Sequence, residues 1–245
     1  MKRELWIGTL SKYGCPPWPC PHCKKGTVQL DRTSLAFHET VLSKQGRQHD
    51  EFAHDWIDYR FTAWADCASC KGRVAIAGIG GPEQVPVSED DWDWQDRFAP
   101  QIWTPMPEMI DIPEKCPKEV RNALNDAFAL HAFQRAACAS RLRVALEALM
   151  DHEGIPRKRK NAKGKFDQMT LHARLMKFAM SSTEAGEHLM ALKWLGNAGS
   201  HEGEVTLDDL LNAFEIFEHA LAEIIGKRKQ RVAKLAKGLT KKFAK

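Results

Sequence analysis

Two short cysteine pairs, Cys20-Pro-His-Cys23 and Cys67-Ala-Ser-Cys70, constrain the fold of this chain more than any other feature. Each pair is followed within three residues by a glycine, Gly26 and Gly72, and 43 residues separate the two pairs. A two-residue spacer lets a tight turn aim both sulfurs at one Zn²⁺ while backbone amides stabilise the thiolates, and the glycine relieves crowding as the chain leaves the turn. Four thiolates fill a tetrahedral site and leave no position for a catalytic water. The expected cofactor is therefore one structural Zn²⁺ on Cys20, Cys23, Cys67 and Cys70. Reduced thiols without metal are the competing reading, whereas a redox pair would need a βαβ setting that the pattern lacks. Cys15 and His22 lie close enough to be substitute ligands and stand behind the four cysteines. Cys116 and Cys138 read as small buried hydrophobes.

The cysteine reading depends on compartment. No window approaches the ~18 consecutive apolar residues of a membrane helix, and Met1 to Leu10 carries charges where a signal peptide would be apolar. A cytoplasmic placement with no membrane partner is expected, and there thiols stay reduced. At 245 residues and 43% hydrophobic, the chain can bury a core without disulfides.

Pattern divides the chain into an α+β arrangement. Over residues 1–81, Ile57, Tyr59, Phe61, Ala63 and Ala65 alternate with Trp56, Asp58, Arg60, Thr62 and Trp64, and Arg73 to Ile79 reads as a second strand. These features predict a small antiparallel zinc-ribbon β domain. Prolines 82, 86, 100, 105, 107, 113 and 117 then predict an extended proline-rich linker over 82–117. Residues 118–226 switch to helical period. Five amphipathic helices are expected: Val120 to Phe128, about 133 to 152, Leu171 to Phe178, Leu189 to Leu195, and one opening at Thr206 with Asp209 as its capping box.

Residues 227–245 form a basic tail. They hold nine Lys or Arg and no acid, leaving 27 basic against 32 acidic residues in the rest of the chain. Val232, Leu235, Leu239 and Phe243 recur at helical spacing, which predicts a basic amphipathic helix extending the fifth, weakened at Gly238. A second basic cluster, Arg157 to Lys165, reads as a loop between Gly154 and Gly164. An acidic block from Glu83 to Asp96 surrounds Trp92 and Trp94. Phosphate backbones reward clustered cations because each neutralised phosphate releases counterions. A solvated, frayed terminus is the plainer reading of the tail.

Two polar motifs interrupt the helical core pattern. Ser140, Arg143 and Glu147 share a face that Leu142, Leu146 and Leu149 do not, and Asn197 and His201 stand four apart beside Gly196 and Gly199. Two glycines so close suggest a close backbone approach or a helix end. An ion pair and a helix cap would satisfy these residues structurally. His201 is also a group that can move protons at neutral pH.

The ordered run Ala139 to Glu147, Leu192 to His201 and the helix at Asp208-Asp209 resembles the bacterial domain-of-unknown-function family DUF4145 over roughly residues 100–226. Arg143, Glu147, Asn197 and His201 are its anchors. That family is similar to the HEPN superfamily of helical bundles, which includes dimeric, metal-independent RNases of defence and toxin systems. Their motif is an Arg, then four to six intervening residues, then a His. The corresponding positions before His201 are Gly196, Leu195 and Trp194, and Lys193 is one residue too far. The resemblance therefore implies His201 as the motif histidine and Asn197 as its companion. The motif arginine is vacant, with Arg143, oriented by Glu147, as the substitute. Three functions follow. One is a nucleic-acid-associating protein, RNA ahead of DNA, homodimeric through its bundle and serving phage defence or stress response. The second is a metal-independent RNase using His201. The third is an adaptor whose zinc ribbon docks a protein partner.

Overall fold

A computed structural model of the chain describes residues 1–88, 91–180, 182–198 and 204–243, and resolves two compact units, Lys2–Glu108 and Met109–Lys245. The first unit is built on strands β1 (Val28–Glu39), β2 (Tyr59–Cys67), β3 (Arg73–Pro86) and β4 (Trp92–Thr104), antiparallel in the order β1-β2-β3-β4. A short helix α1 (Val41–Gly46) follows β1, its start capped by the Thr40 hydroxyl, which accepts from the Ser43 amide. Period-two alternation does what the sequence predicts along β2. Phe61, Ala63 and Ala65 are buried, while Arg60, Thr62 and Trp64 face outward. Val74 and Ile76 of β3 and Phe98 of β4 continue the inner face, and Leu10 and Trp18 close over it. The Trp18 indole pays for its burial by donating Nε1–H to the Leu5 carbonyl at 2.6 Å while its ring meets Trp103 edge-on.

The expected linker over 82–117 is corrected by this sheet. Residues 82–86 are the outer half of β3, and β4 occupies 92–104, with Pro82 opposite Asp96 and Pro86 opposite Trp92. The prolines are tolerated because β2 stops pairing with β3 at Gly80, so beyond that point β3 is bonded on one side only. Half of its amides have no ladder partner there, and a residue without N–H loses nothing. Pro100 lies on the edge strand β4, beside the register shift at Ala77/Gly78.

The second unit contains α2 (Lys118–Leu130), α3 (Arg135–His152), α4 (Leu171–Ala179), α5 (Thr183–Ala198), α6 (Leu207–Ile224) and α7 (Arg228–Phe243). Helix α2 packs on α3, and α5 packs on α3, α4 and α6. Leu124, Leu142, Leu146, Leu149 and Leu175 fill the space between them, and Phe128 meets Phe214 at 5.1 Å between ring centroids. The capping box forms as the sequence predicts: Thr206 Oγ1 accepts from the Asp209 amide, and Asp209 accepts from the Thr206 amide. Cys116 and Cys138 are buried, and burial pushes the Cys138 thiol up to about 12. No helix among the described residues is long and apolar enough to cross a membrane.

Two further expectations change. The basic segment after α3 is not a plain loop but a hairpin of β5 (Lys158–Lys160) and β6 (Phe166–Gln168). Asn161 builds its turn, since the side-chain oxygen accepts from the amides of both Lys163 and Lys165, and Gly164 supplies the positive φ of 73°. A Lys-Arg-Lys strand carries no hydrophobic alternation, so periodicity gave no sign of it. Helix α7, moreover, is separate from α6 rather than its extension. The chain breaks at Gly226 and at Lys227, whose φ is 48°, while Gly238 is accommodated within the helix.

Candidate metal centre and bundle cleft

The two cysteine turns are near copies of one another. In the first, the Lys24 amide donates to the Cys20 carbonyl at 3.0 Å; in the second, the Lys71 amide donates to the Cys67 carbonyl at 3.1 Å. Each turn ends on a lysine with positive φ, 56° at Lys24 and 60° at Lys71. This conformation aims amides inward at sulfur. His22 N and Gly26 N donate to Cys20 and Cys23, and Ser69 N, Cys70 N and Gly72 N donate to Cys67 and Cys70, all at 3.3–3.4 Å. The glycines have a sharper role than easing the chain's exit. A Cβ on Gly26 would lie 2.7 Å from the Cys67 sulfur, and one on Gly72 would lie 2.5 Å from the His22 ring. Each glycine makes room for the opposite turn.

Together the turns bring the four sulfurs within 4.8 Å of one another. The Cys20–Cys70 and Cys23–Cys67 separations are both 3.7 Å. A tetrahedron with Zn–S bonds of about 2.3 Å requires sulfurs about 3.8 Å apart, so the cluster is compatible with zinc without rearrangement. Its electrostatics ask for a cation. The Gly26 amide, then the Lys25 amide, lowers the Cys23 thiol to about 6. The Cys70 amide likewise lowers Cys67. The Gly72 amide pulls Cys70 down as well, yet desolvation and the three neighbouring sulfurs together raise it to about 11. Four thiolates at this spacing cannot coexist at neutral pH unless a divalent ion replaces their protons. Neither substitute ligand joins the cluster. Cys15 points its sulfur toward the Val28 carbonyl, and His22 engages the Arg73 carbonyl at 3.1 Å.

In the helical unit, Arg143 Nε lies 3.5 Å from Glu147 Oε1, so α3 joins these two predicted site residues. A Cβ on Gly196 would lie 3.0 Å from Arg143 Cβ and 3.3 Å from the Ala139 carbonyl, which makes this glycine the point where α5 closes onto α3. Asn197 follows it on α5, its side chain outside the described residues; His201 lies outside them altogether.

The same closure forms a cleft of about 360 Å³ that motif reasoning missed, lined by Arg143, Thr170, Leu171, His172, Lys193 and Trp194. Lys193 is only 8% exposed, and among the described residues it has no carboxylate or hydrogen-bond acceptor. Its ammonium lies 3.3 Å from the centre of the Trp194 ring. Such a cation–π contact supplies about 0.5–2 kcal/mol. The available signal was a lysine on the apolar stripe of Leu189, Leu192 and Gly196, at helical spacing where core patterning calls for a hydrophobe.

The helical unit also displays cations. Arg157 is tied to Asp151 with Nε–Oδ1 at 2.9 Å, but Lys158, Arg159, Lys160, Lys163 and Lys165 are exposed and form no ion pair among the described residues. Lys160 lies over the exposed ring of Phe166. On α7, Arg231, Lys234, Lys237, Lys241 and Lys242 are likewise exposed.

No curated protein and no solved structure gives a significant match to the chain. Two family models do, and each falls within one compact unit: residues 8–105 match the domain of unknown function DUF8608, and residues 125–242, which hold the cleft, the basic hairpin and α7, match the domain of unknown function DUF4145.

Proposed function

We propose that this chain is a nucleic-acid-associating protein, RNA ahead of DNA, in which a structural zinc ribbon precedes a HEPN-like bundle that dimerises and serves prokaryotic defence or stress response. The observation that carries nucleic-acid binding is the β5–β6 hairpin. It holds five unpaired cations on a turn ordered by Asn161, beside an exposed aromatic ring, in a chain whose first 226 residues are net acidic. Cations held in place lose less freedom on meeting a phosphate backbone than cations on a floppy loop. Helix α7 adds a second basic strip of the same sign.

The test replaces Lys158, Arg159, Lys160, Lys163 and Lys165 with Gln and compares RNA binding across salt concentrations. On single strands each phosphate contact contributes ~0.7 to the slope of log affinity against log salt, so the variant should flatten that slope by about 2–3 if most of the five engage. Truncation after Gly226 should flatten it further. Equal binding by all three proteins at every salt concentration would sink the reading. The RNase alternative rests on the family resemblance, and loss of RNA cleavage in His201→Ala, measured without added divalent ions, checks it separately.

A further inference from the structure

We propose that an aromatic face of the sheet unit docks an arginine-rich segment of a partner protein. The face is assembled from two places in the chain. His49, Phe52, His54 and Trp56 lie between α1 and β2, whereas Trp92 and Trp94 lie on β4 opposite Pro86 and Gln84, in the outer half of β3. One stacked contact joins the two, with the His54 and Trp94 rings 5.3 Å apart between centroids at 29°. From His54 the array continues to Phe52 at 6.5 Å and from Phe52 to Trp56 at 6.4 Å, and His49 meets Trp56 at 5.8 Å. The rings hold one another in place, yet Trp56 is 45%, Trp94 38% and Trp92 59% exposed. Contiguous rings left this open mark an interaction surface, and rings already ordered lose little freedom when a partner covers them.

Charge identifies the occupant. The sequence from Gln48 to Tyr59 carries four acids and that from Val74 to Asp96 carries six, and neither stretch holds a Lys or Arg. Asp50, Asp55, Glu83, Asp91 and Asp93 are exposed and form no ion pair among the described residues, and no Lys or Arg among them stands over Trp56, Trp92 or Trp94. The same unit shows what such groups do with a guanidinium. Arg47 lies over the Phe52 ring at 5.5 Å while its Nε and Nη2 donate to the two oxygens of Glu39 at 2.7 and 3.0 Å. Arg73 lies over Trp64 at 5.6 Å and donates to both oxygens of Asp66 at 2.9 and 3.0 Å. In each case a flat cation takes a ring on its face and a carboxylate at its N–H groups. The aromatic face offers both groups to guanidiniums arriving from outside the unit. Arginine is favoured over lysine because its planar fork stacks and binds carboxylate bidentately at once. The same charges repel a phosphate backbone, and a neutral sugar that stacks on the rings has no use for so many uncompensated carboxylates. This goes beyond the hairpin reading, since it concerns the other unit and a partner of opposite charge.

Fluorescence anisotropy with the full chain, purified with zinc present, tests it against three labelled peptides: alternating Arg and Gly, the same with Lys, and the same with citrulline, which keeps the shape of arginine without its charge. The Arg peptide should bind about tenfold or more tighter than the citrulline peptide and measurably tighter than the Lys peptide, with an affinity that falls as salt rises. Trp56→Ala combined with Trp94→Ala should weaken it about tenfold, as expected for two lost cation–π contacts. Glu83→Gln, Asp91→Asn and Asp93→Asn together should weaken it and flatten the salt dependence, while Asn keeps the oxygens that accept from the Trp92 and Trp94 amides. Changing Glu114, Glu119 and Glu187, three exposed acids of the helical unit, to Gln should leave binding nearly unchanged. Zinc content equal to wild type reports that each variant keeps its sheet unit. Equal binding of the Arg and citrulline peptides, or of wild type and the tryptophan variant, overturns the proposal. So does an equal loss in the helical-unit control, which would reduce the effect to diffuse attraction by net charge. Binding that needs the tryptophans but ignores salt and the carboxylates would make the face a platform for a neutral ligand, and RNA binding lost with the tryptophans would give the rings to a nucleic acid; either result overturns it. The hairpin variant should bind the Arg peptide no less than wild type, so failure of the hairpin reading leaves this one standing.

Discussion

Replacing Cys67 with Ser should release the metal and unfold the sheet unit while the helical circular dichroism stays largely intact. Cys67 ends β2, and its partner turn at Cys20–Cys23 leads directly into β1, so the cluster fastens the two strands at the same end of the sheet. The unit spans only about 107 residues and spends much of its length on exposed strand faces, among them Trp64, Ile79 and Ile102. Apparent zinc affinities in such four-ligand sites amount to roughly 10–16 kcal/mol of folding free energy, more than a unit of this size ordinarily has to spare. The helical unit has its own aliphatic core and does not need that contribution. The chain supplies a convenient reporter, because seven of its eight tryptophans lie in residues 2–108. Metal analysis should give about one zinc per wild-type chain and none in the variant. Tryptophan emission should shift toward the unfolded value with little loss of helical signal. Zinc retained in full by Cys67→Ser would refute the ligand assignment.

Part of this architecture is legible in local sequence chemistry. Cysteine spacing is a local chemical constraint, so the four ligand candidates stood out, and the buried alternation of Phe61, Ala63 and Ala65 did too. The capping box at Thr206 was visible because both partners lie within one turn. Proline misled the reading over 82–117, since its penalty in a sheet depends on whether a neighbouring strand needs the missing amide, and strand order is a tertiary fact. The hairpin was hidden because its order comes from one asparagine side chain, not from any apolar pattern. Lys193 was set aside because it failed a motif spacing by one residue. Its burial shows only when Gly196 lets α5 down onto α3.

Asp151→Asn should be the most damaging single polar substitution in the helical unit among those the structure points to. Arg174 of α4 has a side chain only 4% exposed, and its guanidinium donates to Asp151 Oδ1 at 2.6 Å and to the Ile155 carbonyl at 2.8 Å, while its Nε has no partner. Arg157, at the base of the basic hairpin, spans both oxygens of the same carboxylate. Arg157 first, and Arg174 after it, keep the Asp151 carboxyl below the ordinary aspartate range. Losing one member of a buried pair costs about 3–5 kcal/mol. The 35% exposure of the Asp151 side chain screens part of that, so about 2–3 kcal/mol is expected. That corresponds to a melting point lower by roughly 6–10 °C. The sign with pH follows from the depressed folded-state value. The contribution is complete above the unfolded aspartate value of about 3.9 and disappears as pH falls through the folded value. Wild type and Asp151→Asn should therefore differ most at neutral pH and converge below about pH 4. Arg174→Met should cost less than Asp151→Asn, because it removes the buried charge along with its need for a partner, and the double variant should recover part of the loss. Freed from Asp151, Arg157 no longer anchors the hairpin to the end of α3, so RNA affinity should fall as well, although no phosphate-binding cation has been removed. A variant that melts with wild type at pH 7 and binds RNA equally well would show that this carboxylate neither secures α4 nor positions the basic hairpin.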